Sequence, residues 1–288
     1  MSLQMKHILL PTDFSKNAWN ALAYAIYIFQ GESCVFYVLN AYKSNSNLYD
    51  STKVDEGDEL FEAESERSGR KLDEWVKNLA TIKENDIGKV ITISFDGSLQ
   101  LAVTKMADEY SFDYIVMGTK GASGVKEIFI GSNSVKIAKQ FTYCPIIMVP
   151  EKYESHELHQ ILFGTAYKDL YTTYQLDALI YFANRYNSHI DVLHIERERI
   201  SPSGQQIDNK KVLEDILGKT DFGHIALKDD SSISDKIMKY AKGNGIDMIA
   251  LIHKEHGFLQ RLFREPVVKK VAFHTEVPLL ILPEKARS

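Results

Sequence analysis

The 288-residue chain carries the same succession of short apolar runs twice, and this internal repeat constrains its fold more than any other feature. The matched pairs are His7–Asp13 with His159–Ala166, Val35–Leu39 with Ile190–Ile195, Asp113–Met117 with Asp247–Leu251, and Cys144–Pro150 with Val277–Pro283. Matches that recur in the same order are not expected by chance. The sequence therefore predicts two divergent copies of one domain, at residues 5–151 and 157–285, separated by a polar stretch after Pro150.

Within each copy, short apolar runs alternate with stretches of helical periodicity. Tyr114–Met117 and Ile146–Val149 are apolar throughout, which is typical of parallel strands that are covered on both faces. Apolar residues such as Trp19, Leu22 and Ile26 recur at helical spacing between such runs. Alternating strands and helices predict two tandem doubly wound parallel-sheet α/β domains, each a Rossmann-like three-layer α/β/α structure.

The first copy is longer than the second because of an insertion from Lys43 to about Arg70. The insertion begins as a polar segment, and the pattern is helical from about Gly57 to Asn78. The second copy has a shorter counterpart around Ser201–Gly204. A loop of this length is often a lid or a partner surface, and a simple mobile insertion is an equally good interpretation.

Composition narrows the classes of protein to consider. Hydrophobic residues make up 44% and charged residues 25% of the chain, with acidic and basic residues interspersed and a net charge of −5. Binding to nucleic acid would require a basic face, so it is not predicted. No run approaches the ~18 apolar residues of a membrane span, and no signal peptide is evident, so the predicted location is the cytoplasm. Cys34 and Cys144 lie in apolar runs and are interpreted as buried.

Two segments of the first copy are predicted to meet at a ligand site. In open parallel sheets, ligands bind at the carboxyl ends of the strands, where the strand order reverses. The turn Pro11–Ser15 follows the first strand, and the segment Gly118–Ser132 follows the fourth. Gly118 and Gly121 would let the backbone approach a ligand, and Ser132 opens an amphipathic helix whose N-terminus attracts anions.

Each of these residues also has a purely structural interpretation. A glycine after a strand can serve a tight turn, and a serine before a helix can cap it. The combined spacing is harder to explain that way and favours a phosphate site, to which Lys120 would add positive charge. Asp13 can likewise cap a helix, but Ser15 is better placed for that role, which leaves Asp13 for a ligand.

The spacing Gly-x2-Gly-x9-Gly-Ser resembles the ATP-binding signature of the universal stress protein family. It is formed here by Gly118, Gly121, Gly131 and Ser132. Three further segments resemble the strands of that family, namely Ile8–Ser15, Tyr114–Gly118 and Cys144–Val149. The likeness spans nearly all of residues 5–150 and implies an adenine nucleotide alpha hydrolase-like fold and an ATP-binding module of the stress response.

The resemblance also implies roles for individual residues. Asp13 matches the acidic residue that contacts the adenosine, and Pro11 and Val38 match positions whose backbone flanks the adenine. The glycines match positions near the ribose and phosphates, and the start of the helix matches the phosphate cradle. The full predicted set is Pro11, Thr12, Asp13, Val38, Gly118, Lys120, Gly121, Gly131, Ser132 and Asn133. The implied ligand is ATP, or AMP or ADP, with Mg²⁺ as the usual companion of a triphosphate.

The second copy departs from this pattern. Ala166 stands in place of Asp13, Ile252 replaces Gly118, and Glu255 replaces Gly121. One nucleotide per chain is therefore predicted, no metal site is predicted, and the chain is not expected to be a dedicated enzyme, with weak ATP hydrolysis at most. Two alternatives stay open: a scaffold or signalling protein that binds no nucleotide, and a sensor that binds a small ligand in the second copy.

The second copy is predicted to serve as a built-in dimer partner. Subunits of the family often pair through the edge of the fifth strand, and the two copies could pair in that way within one chain. The edges concerned are Ile146–Val149 and Leu279–Leu282. Pairing would cover two apolar edges that otherwise invite aggregation, while a homodimer of whole chains stays open.

Overall fold

The computed structural model describes residues 5–44, 64–79, 88–119, 132–196, 201–228, 233–253 and 275–286. Its strands are β1 (Lys6–Thr12), β2 (Cys34–Tyr42), β3 (Lys89–Asp96), β4 (Tyr114–Gly118), β5 (Ile146–Val149), β6 (Gln160–Thr165), β7 (His189–Glu196), β8 (Phe222–Lys228), β9 (Met248–Ile252) and β10 (Leu279–Leu282). Its helices are α1 (Lys16–Ile28), α2 (Glu64–Leu79), α3 (Leu99–Glu109), α4 (Ser132–Gln140), α5 (Thr173–Tyr186), α6 (Gly204–Leu217) and α7 (Ile233–Gly243).

All these strands form a single sheet in the order β3-β2-β1-β4-β5-β10-β9-β6-β7-β8. Each half of the chain contributes five neighbouring strands. The two halves have the same internal strand order, and they meet through the last strand of each, β5 and β10. Every neighbouring pair within a half is parallel. The strand order reverses direction between β1 and β4 and again between β6 and β9, so the predicted doubly wound α/β fold is confirmed.

Helices cover both faces of the sheet, which gives the predicted three layers. One face packs against α1, α2, α5 and α6, whose buried contacts include Leu22, Leu72, Leu176 and Leu213. The opposite face packs against α3, α4 and α7, with Ala102, Ile137 and Ile237 in its core. Both cores continue from one half into the other, so the halves share their apolar interior. Cys34 and Cys144 are buried free thiols, as predicted.

The two halves join at the fifth strand of each, where β5 and β10 form an antiparallel pair. Leu279 pairs with Met148, and Ile281 pairs with Ile146. The side chains of both strands are buried along their whole length. The pairing lies at the two edges that the repeat singles out, and it leaves neither apolar edge open.

Helix α5 reinforces this junction from above the sheet. The ring of Phe182 packs on Phe29 and Tyr114, with ring centroids 5.7 and 5.6 Å away. Arg185 donates hydrogen bonds to the carboxylate of Glu32 and to the carbonyl of Gln30. These contacts join α5 of the second half to residues of the first half, so the junction depends on both halves being folded.

The insertion of the first half contributes α2, which is described from Glu64 to Leu79. The helical start near Gly57 stays a prediction. Residues 57–63 lie outside the described residues. Helix α2 packs its buried residues Ser68, Leu72 and Leu79 toward β2 and β3. Among the described residues, no helix is long and apolar enough to cross a membrane.

Candidate functional site

A tight turn leads from β1 into α1, and its side chains satisfy its own backbone. Thr12 Oγ1 accepts a hydrogen bond from the N–H of Phe14 at 2.9 Å, and Asp13 Oδ1 accepts one from the N–H of Ser15 at 3.1 Å. Ser15 caps α1 by accepting from the N–H of Ala18, so its predicted role is confirmed. Phe14 has a φ of 62°, which is uncommon for an aromatic residue. Asp13 is exposed at the carboxyl edge of the sheet and also takes part in the turn.

The second half repeats this turn but without its carboxylate. Tyr167 has a φ of 53°, and its N–H donates to Thr165 Oγ1 at 3.1 Å, as Phe14 does to Thr12. Ala166 lies between Thr165 and Tyr167, at the position that Asp13 has in the first half. The backbone conformation has therefore been retained, whereas the acidic group has been lost.

The end of β4 shows the same contrast. Gly118 is paired with Val149 of β5, and Ile252 is paired with Leu282 of β10. The two residues are thus structural equivalents, as the repeat predicts. The second half has a branched side chain where the first half has none.

Gly118 also has a packing role inside the protein. A Cβ atom at this position would lie 2.7 Å from Cγ and Nδ2 of Asn17 and 3.1 Å from its backbone carbonyl carbon. The first turn of α1 therefore packs directly against the end of β4. In the second half, the connection from Thr165 to the helix cap Thr172 is longer than that from Thr12 to Ser15.

We expect Gly118→Ala to lower the free energy of unfolding by about 1–3 kcal/mol, because the added methyl overpacks a close backbone contact. Gly204→Ala is the matched control, because a Cβ there meets nothing within 4 Å. Chemical denaturation of both variants measures the difference. Equal stability of the two would show that α1 can shift without cost.

Helix α4 begins beside the end of β4. Ser134 is buried, and its Oγ donates to the carbonyl oxygen of Gly118 at 2.9 Å. The helix starts at Ser132, and Asn133 is exposed in its first turn. The free N–H groups of the first turn and the partial positive charge of the helix end therefore lie beside β4.

Seven of the ten predicted site residues lie within the described part of the chain. Pro11 and Thr12 end β1, Asp13 follows them, and Gly118, Ser132 and Asn133 lie as described above. Val38 lies opposite Leu10 within the sheet and is fully buried in the core, two positions before the polar end of β2. Lys120, Gly121 and Gly131 lie outside the described residues.

A buried polar network at this edge was not predicted from the sequence. Asn40 Nδ2 donates to the carbonyl oxygen of Thr12 at 2.8 Å, and Asn40 Oδ1 accepts from Ser68 Oγ of α2 at 2.8 Å. Ser94 Oγ of β3 in turn donates to Ser68 Oγ at 2.7 Å. The feature of the sequence that could have indicated this network is Asn40, the one amide side chain in the otherwise apolar run Val35–Ala41.

The second half builds a different cluster in the equivalent place. His194 Nδ1 lies 3.1 Å from the carbonyl oxygen of Thr165, and the hydroxyl of Tyr167 lies 3.0 Å from His224 Nδ1. The other nitrogen of His224 is 2.8 Å from a carboxylate oxygen of Glu214. Burial raises the pKa of Tyr167 above its usual value.

Comparisons with known sequences match the first half of the chain or a little more. A family model described as the universal stress protein family matches residues 5–150. Universal stress protein MJ0577 of Methanocaldococcus jannaschii is 31% identical over 164 residues, a match that covers 53% of this chain and 99% of that protein.

Solved structures match over nearly the whole chain. A universal stress protein from Archaeoglobus fulgidus aligns with a TM-score of 0.65 at 16% identity and covers 96% of both chains. The cytoplasmic domain of a prokaryotic cation chloride cotransporter aligns with a TM-score of 0.54 at 9% identity, over 97% of this chain and 96% of that one. At these identities the likeness concerns the fold alone, and it includes both halves.

Proposed function

This chain belongs to the universal stress protein family, and from that premise we propose that its first half binds one adenine nucleotide, namely ATP, ADP or AMP. One observation carries the proposal. The first turn of α1, which follows the Asp13 turn, packs on Gly118 at the end of β4, and Ser134 of α4 donates to the carbonyl oxygen of Gly118. The second half has Ala166 and Ile252 at the equivalent positions.

The described groups have the chemistry that a nucleotide requires. The exposed carboxylate of Asp13 can accept hydrogen bonds from ribose hydroxyls, as acidic residues at this edge of α/β sheets do. The N-terminus of α4 offers donors and positive charge to phosphate oxygens, with Ser132 and Asn133 in its first turn. Gly121, Gly131 and Lys120 would complete the cradle, and a bound triphosphate would bring Mg²⁺.

The base would lie toward the end of β2. Val38 was predicted to flank the adenine through its backbone, but it lies opposite Leu10, two positions before Asn40, and so short of the end of β1. Beyond it, β2 continues through Asn40, which is opposite Thr12, to Ala41 and Tyr42, which are half-buried. We therefore assign the backbone of Ala41, together with Pro11, to the edge of the adenine.

The second half serves as an internal partner in this proposal. Its strand β10 pairs with β5 in the way that the strand of a second subunit would. The two halves of one chain therefore take the place of the two subunits of a dimer. Asp13 is the carboxylate that the described part of the proposed site offers, and this proposal assigns it to the ribose, so we expect the site to hold ATP and at most to hydrolyse it weakly. The protein then acts as a binding module of the stress response and not as a dedicated enzyme.

Calorimetry with MgATP is expected to give one site per chain. Asp13→Asn keeps the acceptor oxygen of the turn but removes the charge, so we expect about tenfold weaker binding with an unchanged melting temperature. Asp13→Ala copies the second half and is expected to bind still more weakly. Two equivalent sites would contradict the asymmetry between the halves, and absence of binding would favour a scaffold that uses no nucleotide.

A further inference from the structure

Helix α2 touches the turn that carries Asp13 from two sides. The first connection is polar: Ser68 donates to Asn40, and Asn40 donates to the carbonyl of Thr12, with both contacts at 2.8 Å. Asn40, Ser68 and Thr12 are exposed by only 6%, 3% and 7%, so water does not compete for these hydrogen bonds. A buried polar chain of this kind holds its members in one arrangement.

The second connection is aromatic and reaches the other end of the turn. The ring of Phe14 meets the ring of Trp75 edge to face at a centroid distance of 5.6 Å. The ammonium group of Lys71 lies 5.2 Å from the centroid of the Phe14 ring. Trp75 also packs edge to face on Trp19 of α1 at 5.1 Å, so one cluster links α2, the turn and α1.

The turn has little freedom to move without α2. Phe14 is held in the left-handed region with a φ of 62°, a conformation that persists only where its surroundings impose it. Asp13 lies between Thr12 and Phe14, the two residues that are tied to α2 through Asn40 and Trp75. A ligand that shifts Asp13 must therefore shift contacts of α2 as well.

We infer that α2 reports nucleotide occupancy of the first half, and that Asn40 and Ser68 are positioning residues that hold the Asp13 turn in its binding geometry. This inference rests on the proposed function. Coupling of binding free energies is reciprocal, so nucleotide binding and the packing of α2 on the turn must strengthen each other by the same factor.

Intrinsic fluorescence provides a direct test, because the chain has two tryptophans and both belong to this cluster. MgATP added to the full-length protein is expected to change the tryptophan emission, with the dissociation constant that calorimetry gives. Trp75→Phe is expected to keep most of the affinity and lose most of the signal. Binding by calorimetry with unchanged emission would overturn the inference while leaving the proposed function intact, whereas no binding at all would overturn the proposed function itself.

A pair of serine variants tests the polar connection. Ser68→Ala removes the donor to Asn40, and we expect ATP affinity to fall by about tenfold. Ser94→Ala is the matched control, because it removes a hydroxyl from the far end of the same chain and leaves Asn40 bonded. If the two nucleotide-free variants melt at similar temperatures and only Ser68→Ala binds ATP more weakly, then Ser68 positions the Asp13 turn for binding. Equal affinities would overturn it.

Hydrogen exchange keeps the inference testable even if Ser68→Ala does not fold. In the wild-type protein, MgATP is expected to slow amide exchange in α2, residues 64–79, by at least several-fold. Helix α6, residues 204–217, is the internal control, because it occupies the corresponding place in the second half. Equal exchange in α2 with and without bound nucleotide would overturn the inference.

Discussion

Gly121→Glu is expected to abolish ATP binding while leaving the fold intact. The substitution copies Glu255 of the second half into the proposed phosphate loop. Two like unit charges about 4 Å apart repel by about 4 kcal/mol at an effective dielectric constant of about 20. That energy corresponds to about a thousandfold loss of affinity.

Gly121→Gln separates charge from size in this experiment. The amide has nearly the shape of the carboxylate without its charge, so we expect it to weaken ATP binding much less than glutamate does. Calorimetry measures both affinities, and thermal unfolding without nucleotide checks that the two variants are equally stable. Normal ATP binding by Gly121→Glu would show that this loop does not hold the phosphates.

Residues 5–150 expressed alone are expected to dimerise or aggregate. Truncation removes β10 and leaves β5 as an edge strand whose side chains, Ile146–Val149, are completely buried in the intact chain. It also removes α5, and with it Phe182 from the rings of Phe29 and Tyr114. An apolar edge strand with unpaired backbone groups readily pairs with another chain.

Light scattering at several protein concentrations measures this effect, with the full chain as the control. The fragment is expected to gain mass as its concentration rises, whereas the full chain is expected to keep one size over the same range. A fragment that stays monomeric and soluble throughout would show that the second half is not needed to cover β5. The second half would then have to be retained for a ligand or partner of its own.

The sequence by itself determined the repeat, the strand and helix alternation and the family. These features are local: apolar runs such as Ile146–Val149 indicate buried parallel strands wherever they occur, and the glycine signature is a matter of spacing along the chain. The order of the matched apolar runs also indicated that Ile146–Val149 and Leu279–Leu282 are equivalent strands of the two copies. The third strands β3 and β8 were not among these runs, because their exposure alternates at the outer edges of the sheet.

Only the tertiary structure decided which residues surround the site. The contact of Gly118 with Asn17, the hydrogen bond of Ser134 to Gly118 and the chain from Ser68 through Asn40 to Thr12 all join segments that are distant in sequence. Local periodicity specifies the face on which a side chain lies but not the segment that it meets. For the same reason the sequence selected Val38 by its match to a family position, whereas the register with β1 places Asn40 and Ala41 at the polar edge of the sheet.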